Sequence, residues 1–191
     1  MSELGRIYWS RQLLKLGYSA AVLWLGWSII TPLLRGPAAP AQVAAGPSGA
    51  ADVLMSIFQP VLDAAIAPAA VLLALGLTAA VITSRDARRR DPVRRFTRQQ
   101  RREGMARADG RCEFGVGARR CSRPAEHGDH FYPWSKGGST TLQNFVAACS
   151  RCNRSKGARI PSPSVQRRIE RRRVADGLDA ADILVGERGR L

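Results

Sequence analysis

Charged residues, cysteine and histidine are all scarce over long parts of this 191-residue chain. Of its 30 lysines and arginines only four lie in residues 1–84, together with three acidic residues. The four cysteines all lie in residues 112–152, and the histidines are His127 and His130 alone. The first part of the chain therefore lacks the charge that suits a water-exposed surface.

Two uncharged runs dominate residues 1–84. One covers nineteen positions, 16–34, and the other covers twenty-one, 64–84. A helix needs about 20 apolar residues to cross the hydrocarbon core of a bilayer. A chain this short has too little other apolar surface to bury two such helices in a soluble core. We therefore predict a two-span transmembrane α-helical hairpin over residues 1–84, with a lipid bilayer as partner.

The sequence between the spans leaves two alternatives open. Residues 53–62 are apolar and are interpreted as an interfacial helix or as an extension of the second span. Residues 35–52 are rich in Pro, Ala and Gly and predict a flexible loop. A cleaved signal peptide is the rival interpretation of the first span, but its apolar run is longer than is usual for one.

Flanking basic residues predict the orientation of the hairpin. Positive residues mark the cytoplasmic side of a membrane protein. Three basic residues precede the first span: Arg6, Arg11 and Lys15. Six follow the second span: Arg85, Arg88, Arg89, Arg90, Arg94 and Arg95. The connecting loop has one, Arg35. Both termini are expected in the cytoplasm. The Ala-, Arg- and Gly-rich composition indicates a GC-rich bacterial genome, so the membrane is expected to be a bacterial inner or cell membrane.

The second part of the chain is strongly cationic. Residues 85–191 hold 26 basic and 12 acidic residues, a net charge of +14, which predicts a polyanionic partner such as nucleic acid or an anionic membrane surface. Residues 85–110 form a basic connector, with a helix expected from about 93 to 108. It contacts either DNA phosphates or lipid headgroups. Residues 161–191 form a basic tail whose last residues are expected to be disordered.

The cysteines form two pairs, Cys112 with Cys121 and Cys149 with Cys152. The predicted cytoplasmic location disfavours disulfides. Four thiolates in two pairs suit a closed, tetrahedral structural Zn²⁺ site, which would supplement the small core of a domain of about fifty residues. A redox Cys-x-x-Cys lacks the surrounding βαβ pattern and leaves the first pair unexplained.

An ordered set of motifs lies between and after these pairs. Asp129-His130 is followed by Gly137-Gly138, by Asn144 fourteen residues after the histidine, and by Cys-x-x-Cys-Asn-Arg-x-Lys at 149–156. Together they resemble the HNH endonucleases, which have a ββα-metal core. The resemblance covers residues 111–160. It implies an α+β fold with a strand ending at His130, a second strand at 145–148 and a helix from Ser150.

The resemblance also implies catalytic roles. A neutral imidazole at His130 is the candidate general base for activating water. Asn144 would fix the long loop and orient that histidine. Asp129 and Asn153 would hold a catalytic divalent ion, and their oxygen ligands suit Mg²⁺ or Mn²⁺. His127 matches no motif position and is interpreted as incidental.

The functional prediction is a membrane-anchored, metal-dependent HNH endonuclease that hydrolyses phosphodiester bonds in DNA on the cytoplasmic side. Arg154 and Lys156 on the helix and Lys136 in the loop are the candidate nucleic-acid contacts. The alternative is a catalytically inactive, zinc-stapled module that binds nucleic acid or a partner at the membrane. An RNA substrate is a third hypothesis.

Overall fold

The computed structural model describes residues 3–35, 49–116 and 119–189. Its contacts divide the chain into a unit formed by Arg11–Ala80 and a second unit formed by Met1–Ser10 with Val81–Leu191. The helices are α1 Glu3–Arg35, α2 Gly49–Arg88, α3 Arg98–Arg107, α4 Ser150–Lys156, α5 Pro163–Ala175 and α6 Ala180–Ile183. The strands are β1 Gly115–Val116, β2 Arg119–Arg120, β3 His127–His130 and β4 Phe145–Ala148.

Helices α1 and α2 contain the two predicted spans. Both are long and apolar enough to cross a membrane, and their most apolar windows are only 11% and 6% buried. Residues 53–62 belong to α2, which continues through Pro60 and Pro68, so this stretch is an extension of the second apolar helix. Most of the predicted loop, residues 36–48, lies outside the described residues.

Helix α3 begins at Arg98, five residues later than the sequence predicts. Thr97 Oγ1 accepts a hydrogen bond from the backbone N–H of Gln100 (3.1 Å), and Gln100 Oε1 accepts one from the backbone N–H of Thr97 (2.8 Å). This capping box fixes the start of the helix. Residues 91–97, called here the linking segment, stay non-helical because they bond to the long loop of the domain, as described below.

The centre of the second unit is an antiparallel hairpin followed by a helix. In the hairpin of β3 and β4, His127 pairs with Ala148 and His130 with Phe145. Helix α4 begins directly after β4, where Cys149 Sγ accepts a hydrogen bond from the backbone N–H of Cys152 (3.4 Å). This order of elements is the ββα arrangement, and together with α1 and α2 it confirms the predicted α+β fold.

The loop between β3 and β4 folds around Asn144, whose side chain is fully buried. Asn144 Oδ1 accepts from the backbone N–H of Tyr132 (2.8 Å), while Nδ2 donates to Tyr132 O (3.0 Å) and Ser139 O (2.7 Å). A Cβ at Gly138 would lie 2.0 Å from Tyr132 O, so only glycine fits there. Gly137 has φ of 85°, which also favours glycine.

Residues on both sides of 111–160 pack against the ββα core, in two buried clusters. Ile169 of α5 and Val185 lie in one buried cluster with Phe131 and Tyr132. On the other side, Phe96 packs against Phe145. The connector and the C-terminal residues thus pack on the ββα core instead of merely flanking it.

The ends of the chain show the same packing. Leu4 of α1 belongs to the buried cluster of the second unit. Arg188 forms an isolated β-bridge with Gly138 and an ion pair with Asp86 (3.2 Å). The expectation of disorder at the C-terminus is therefore wrong for the residues described up to Gly189, because they bond to the domain; residues 190 and 191 lie outside the described part.

Candidate active site

The four cysteine sulfurs gather at one point beside the hairpin. All four lie within 4.8 Å of one another, and the Sγ atoms of Cys121 and Cys149 are 3.9 Å apart. Four thiolates at the usual Zn–S distance from one tetrahedral ion would lie about 3.8 Å apart. The cluster is therefore compatible with a structural zinc, and its sulfur ligands are those that Zn²⁺ prefers in closed sites.

The electrostatics of this cluster call for a cation. Burial raises the pKa of Cys112 and of Cys152 above the usual range for a thiol. At Cys149 burial also raises the pKa, but hydrogen bonds from the backbone and side chain of Cys152 outweigh it and lower the pKa to about 7. Negative charge on neighbouring thiolates is stabilised by a cation between them, and a metal ion held by the four sulfurs would supply it.

His130 stands at the end of β3 in a partly buried position. Its ring stacks on Phe96, with centroids 4.3 Å apart, and its Nε2 lies 3.1 Å from Thr140 Oγ1. Burial lowers the pKa of His130 to about 4, with smaller contributions from the positive charges of Lys156 and Arg94. The imidazole is therefore neutral near pH 7, which is the form that accepts a proton.

Asp129 precedes this histidine and faces a lysine. Lys156 Nζ of α4 lies 3.0 Å from Asp129 Oδ2, and the two side chains are only 7% and 15% exposed. Burial raises the pKa of Asp129, although the positive charge of Lys156 opposes the shift. The Lys156 ammonium thus engages Oδ2 of a largely buried carboxylate.

Asn153 lies on α4, the helix that packs against β3. It is three residues from Lys156, so the two share one face of the helix, and that face is turned to Asp129. Asn153 is half-buried. Carboxylate and amide oxygens are ligands of the kind that suits a hard divalent ion, and Asp129 and Asn153 supply them from β3 and α4, two elements that pack together.

The candidate orienting residue, Asn144, bonds to the loop instead of to the histidine. Within the described residues its side chain bonds to the backbone of Tyr132, Ser139 and Glu187. It thus fixes the loop that carries Thr140. The contacts made directly by the His130 ring are those of Thr140 and Phe96, two residues that the sequence analysis did not select.

The candidate nucleic-acid contacts have different surroundings. Arg154 is exposed on α4, and Lys136 is half-buried in the 3-10 turn Trp134–Lys136. Lys156 points to Asp129, so its ammonium is part of the acidic site. His127 is exposed, with its Nε2 3.1 Å from Ser150 Oγ.

Two arginine side chains lie over the ring of Trp134. The guanidinium carbons of Arg90 and Arg94 lie 5.4 and 5.3 Å from the ring centroid, within the range of a cation–π contact. Arg94 also contributes to the positive potential at His130. Arg94 of the linking segment thus brings positive charge close to His130, which no local sequence motif indicates.

A hairpin whose first strand ends in Asp-His, a helix that returns to that strand, and a four-thiol cluster at their junction define the ββα-metal class of domain. The comparison with protein families agrees, because the HNH endonuclease family matches residues 112–159. The chain thus carries an HNH endonuclease domain over about a quarter of its length. No curated protein and no solved structure matches the chain.

Proposed function

We propose that this protein is a membrane-anchored, divalent-metal-dependent endonuclease that hydrolyses phosphodiester bonds in DNA on the cytoplasmic face of a bacterial membrane. The observation that carries the proposal is the HNH-family segment in which His130 and Asp129 end a strand facing α4. A fold alone does not fix a substrate, and the charges around the site favour nucleic acid.

His130 is the proposed general base. Its pKa is lowered to about 4 by burial, so a neutral imidazole is available at physiological pH. It would accept the proton of a water molecule that attacks phosphorus. Phe96 covers one face of the ring, which restricts the orientations that the imidazole can adopt.

Asp129 and Asn153 are the proposed ligands of the catalytic ion. A Mg²⁺ or Mn²⁺ ion bound there would neutralise charge on the scissile phosphate and stabilise the leaving oxygen. Lys156 now neutralises the Asp129 carboxylate, and it holds that side chain in place at the helix. The four cysteines are proposed to hold a structural Zn²⁺ that joins the end of the hairpin to the start of α4.

The positive charge near the site supports a nucleic-acid substrate. Arg154 on α4 is exposed and Lys136 is half-buried in the long loop, while Arg94 influences the potential at His130. Each basic side chain that neutralises a phosphate adds to affinity and to its dependence on salt. These three residues are proposed to contact the DNA backbone.

The contacts of the helix ends support the proposed topology. Leu4, at the start of α1, lies in the core of the unit that also contains the end of α2. A hairpin whose two ends contact one domain has both ends on the same side of the membrane. The basic residues flanking these ends favour the cytoplasmic side.

A plasmid-nicking assay tests the proposed activity. The detergent-solubilised full chain should convert supercoiled DNA to the nicked form with Mg²⁺ or Mn²⁺ and lose that activity with EDTA. His130→Ala should reduce the rate about 10²- to 10⁴-fold, as expected for loss of a general base. His127→Ala is the matched control and should cleave like the wild type.

No cleavage by the wild type under any divalent ion, or equal cleavage by His130→Ala, would reject the nuclease. Parallel reactions with RNA would show whether the substrate class is correct. Faster cleavage of RNA than of DNA would replace the proposed substrate while retaining the catalytic site.

One observation favours the alternative function, an inactive zinc-stapled binding module. The Lys156 ammonium already neutralises Asp129, as it would in a site that has no need of a catalytic ion. This alternative predicts salt-sensitive DNA binding with no cleavage and no effect of Mn²⁺ on the environment of Asp129. The nicking assay and a filter-binding assay on the same protein preparation distinguish the two functions.

A further inference from the structure

The linking segment forms a set of hydrogen bonds with one residue of the long loop, Thr140. Asp91 Oδ2 accepts from the backbone N–H of Thr140 (3.0 Å), and the carbonyl oxygen of Val93 accepts from its hydroxyl (2.5 Å). Asp91 is itself held, because Oδ1 accepts from the backbone N–H of Val93 (2.9 Å) and its carbonyl accepts from Trp134 Nε1 (2.8 Å). Thr140 is therefore fixed at both its backbone and its side chain.

These hydrogen bonds determine which atom is the donor in the hydrogen bond between Thr140 and His130. A threonine hydroxyl has one hydrogen, and a carbonyl oxygen can only accept. The hydroxyl hydrogen of Thr140 must therefore point to Val93 O, because two oxygens 2.5 Å apart without a hydrogen between them would repel each other. Thr140 Oγ1 is left as an acceptor toward His130 Nε2, at 3.1 Å.

A nitrogen that donates to Thr140 carries the imidazole hydrogen. In the neutral ring one nitrogen bears hydrogen and the other accepts. His130 is thus the Nε2–H tautomer, and Nδ1 is the nitrogen with a free lone pair. The tautomer of a histidine is set by the hydrogen bond that its second nitrogen makes, and an imidazole held in the wrong tautomer is a poor base.

We propose that Thr140, held by Asp91 and Val93, is the positioning residue that fixes His130 as the Nε2–H tautomer and leaves Nδ1 to accept the proton of the attacking water. The proposal rests on the proposed nuclease function and deepens it. Water gives its proton to Nδ1 as its oxygen bonds to phosphorus, and the bond from phosphorus to the leaving oxygen breaks, after which that oxygen takes a proton from solvent. His130 becomes an imidazolium that later releases the Nδ1 proton, and the hydrogen on Nε2 stays on Nε2, hydrogen-bonded to Thr140 Oγ1.

The residues that hold Thr140 in place lie outside the segment that matches the HNH family, although Thr140 itself lies within it. Asp91 and Val93 precede α3, and Phe96, which stacks on the same ring, belongs to the same linking segment. The family match begins at Cys112. The base is therefore oriented by residues that directly follow α2, so the active site includes part of the connection to the apolar helices.

The first test reads the tautomer directly. The full chain in detergent micelles, labelled with ¹⁵N-histidine, contains only two imidazoles, and the signals missing from His127→Ala identify that residue. His130 should show a protonated Nε2 and an unprotonated Nδ1 near pH 7. A protonated Nδ1 in the wild type would overturn the proposal without any variant.

The second test compares Thr140→Val with Thr140→Ser. The valine variant lacks the acceptor and should show mixed tautomers, with kcat about 10- to 100-fold lower and KM nearly unchanged. The serine variant keeps the hydroxyl and should recover the tautomer and most of kcat. Thr78→Val in α2, where the hydroxyl donates only to Ala74 O, is the matched control.

The outcomes separate the two proposals. A wild type that cleaves no DNA contradicts the nuclease function, whatever the tautomer. A wild type that cleaves, with Thr140→Val unchanged in both tautomer and kcat, contradicts the positioning role alone. If the valine variant fails to fold, Asp91→Asn is the variant to test. It weakens the hydrogen bond that holds Thr140 and should therefore give a mixture of His130 tautomers. An unchanged tautomer in Asp91→Asn overturns the role of Asp91.

Discussion

The two contact units of this chain cover their apolar side chains in opposite ways. Only 11% of the most apolar window of α1 and 6% of that of α2 is buried. Large side chains there, such as Leu73 and Leu77, are 65% and 60% exposed. In the second unit Phe131, Tyr132 and Phe145 are at most 1% exposed. The first unit leaves its large apolar side chains exposed, and the second buries them.

This difference shows what each unit depends on. The second unit has a small apolar core and adds a four-thiol cluster and a buried ion pair between Glu113 and Arg173 (2.8 Å). Small domains commonly need such links because their cores are limited. We expect lipid to determine the state of the first unit, and metal and ion pairs to determine that of the second.

The largest expected effect comes from removal of the zinc ligands. Cys149→Ser, or a strong chelator, should unfold the second unit, because a structural zinc contributes roughly 10–16 kcal/mol and whole domains have only about 5–15 kcal/mol of stability. Hydrogen exchange should become fast in the second unit, across residues 81–116 and 119–189, and stay slow in residues 11–35 and 49–80. Ser122→Ala is the control. Unchanged exchange in Cys149→Ser would contradict the structural role of zinc.

The next effect concerns the other unit. Leu73→Lys combined with Leu77→Lys should cost insertion roughly 5–7 kcal/mol, from about 2.5–3.5 kcal/mol per lysine at the centre of a span. The protein should leave the membrane fraction on alkaline extraction, while cleavage per mole in detergent stays unchanged. Replacing both leucines by isoleucine is the control. Retention of the lysine variant in the membrane would contradict a second span.

A smaller effect is expected from the buried ion pair. Arg173→Met should destabilise the second unit by about 3–5 kcal/mol, because it leaves the Glu113 carboxylate buried without a partner. Urea unfolding in the presence of zinc measures the change. Arg171→Met alters an exposed arginine of the same helix and should change stability by less than about 0.5 kcal/mol. Equal effects of the two variants on the free energy of unfolding would contradict the stabilising role of the buried ion pair.

The smallest effect concerns the acidic site. Lys156→Met should raise the affinity for Mn²⁺ by roughly tenfold or more, because it removes a positive charge 3.0 Å from Asp129 Oδ2. Electron paramagnetic resonance titration of free Mn²⁺ measures the binding. Arg154→Met removes an exposed charge of the same helix and should have a weaker effect. Lower affinity in Lys156→Met would contradict Asp129 as a ligand.

Local patterns in the sequence were sufficient for much of this architecture. The Cys-x-x-Cys spacing and the uncharged runs are properties of short segments, so the thiol cluster and the apolar helices could be predicted from them. The capping box of Thr97 and Gln100 was also present in the sequence, and it explains why α3 begins later than composition suggested.

Long-range contacts were beyond the reach of sequence patterns. Asp91 and Thr140 are 49 positions apart, and neither belongs to a motif with metal or catalytic chemistry. Arg173 lies in an arginine run that is typical of a solvated helix, yet it is 2% exposed because Glu113 and three backbone carbonyls bond to it. Lys156 was interpreted as a phosphate contact because its partner, Asp129, is on another element.

The most direct test of the central claim is anomalous diffraction from the full chain crystallised with Mn²⁺ and a DNA oligonucleotide. The account predicts a manganese peak about 2.1 Å from oxygens of Asp129, Asn153 and one phosphate, separate from zinc at the four cysteines. Well-ordered DNA with no manganese at Asp129, or manganese far from Asn153 and from the ring of His130, would contradict it.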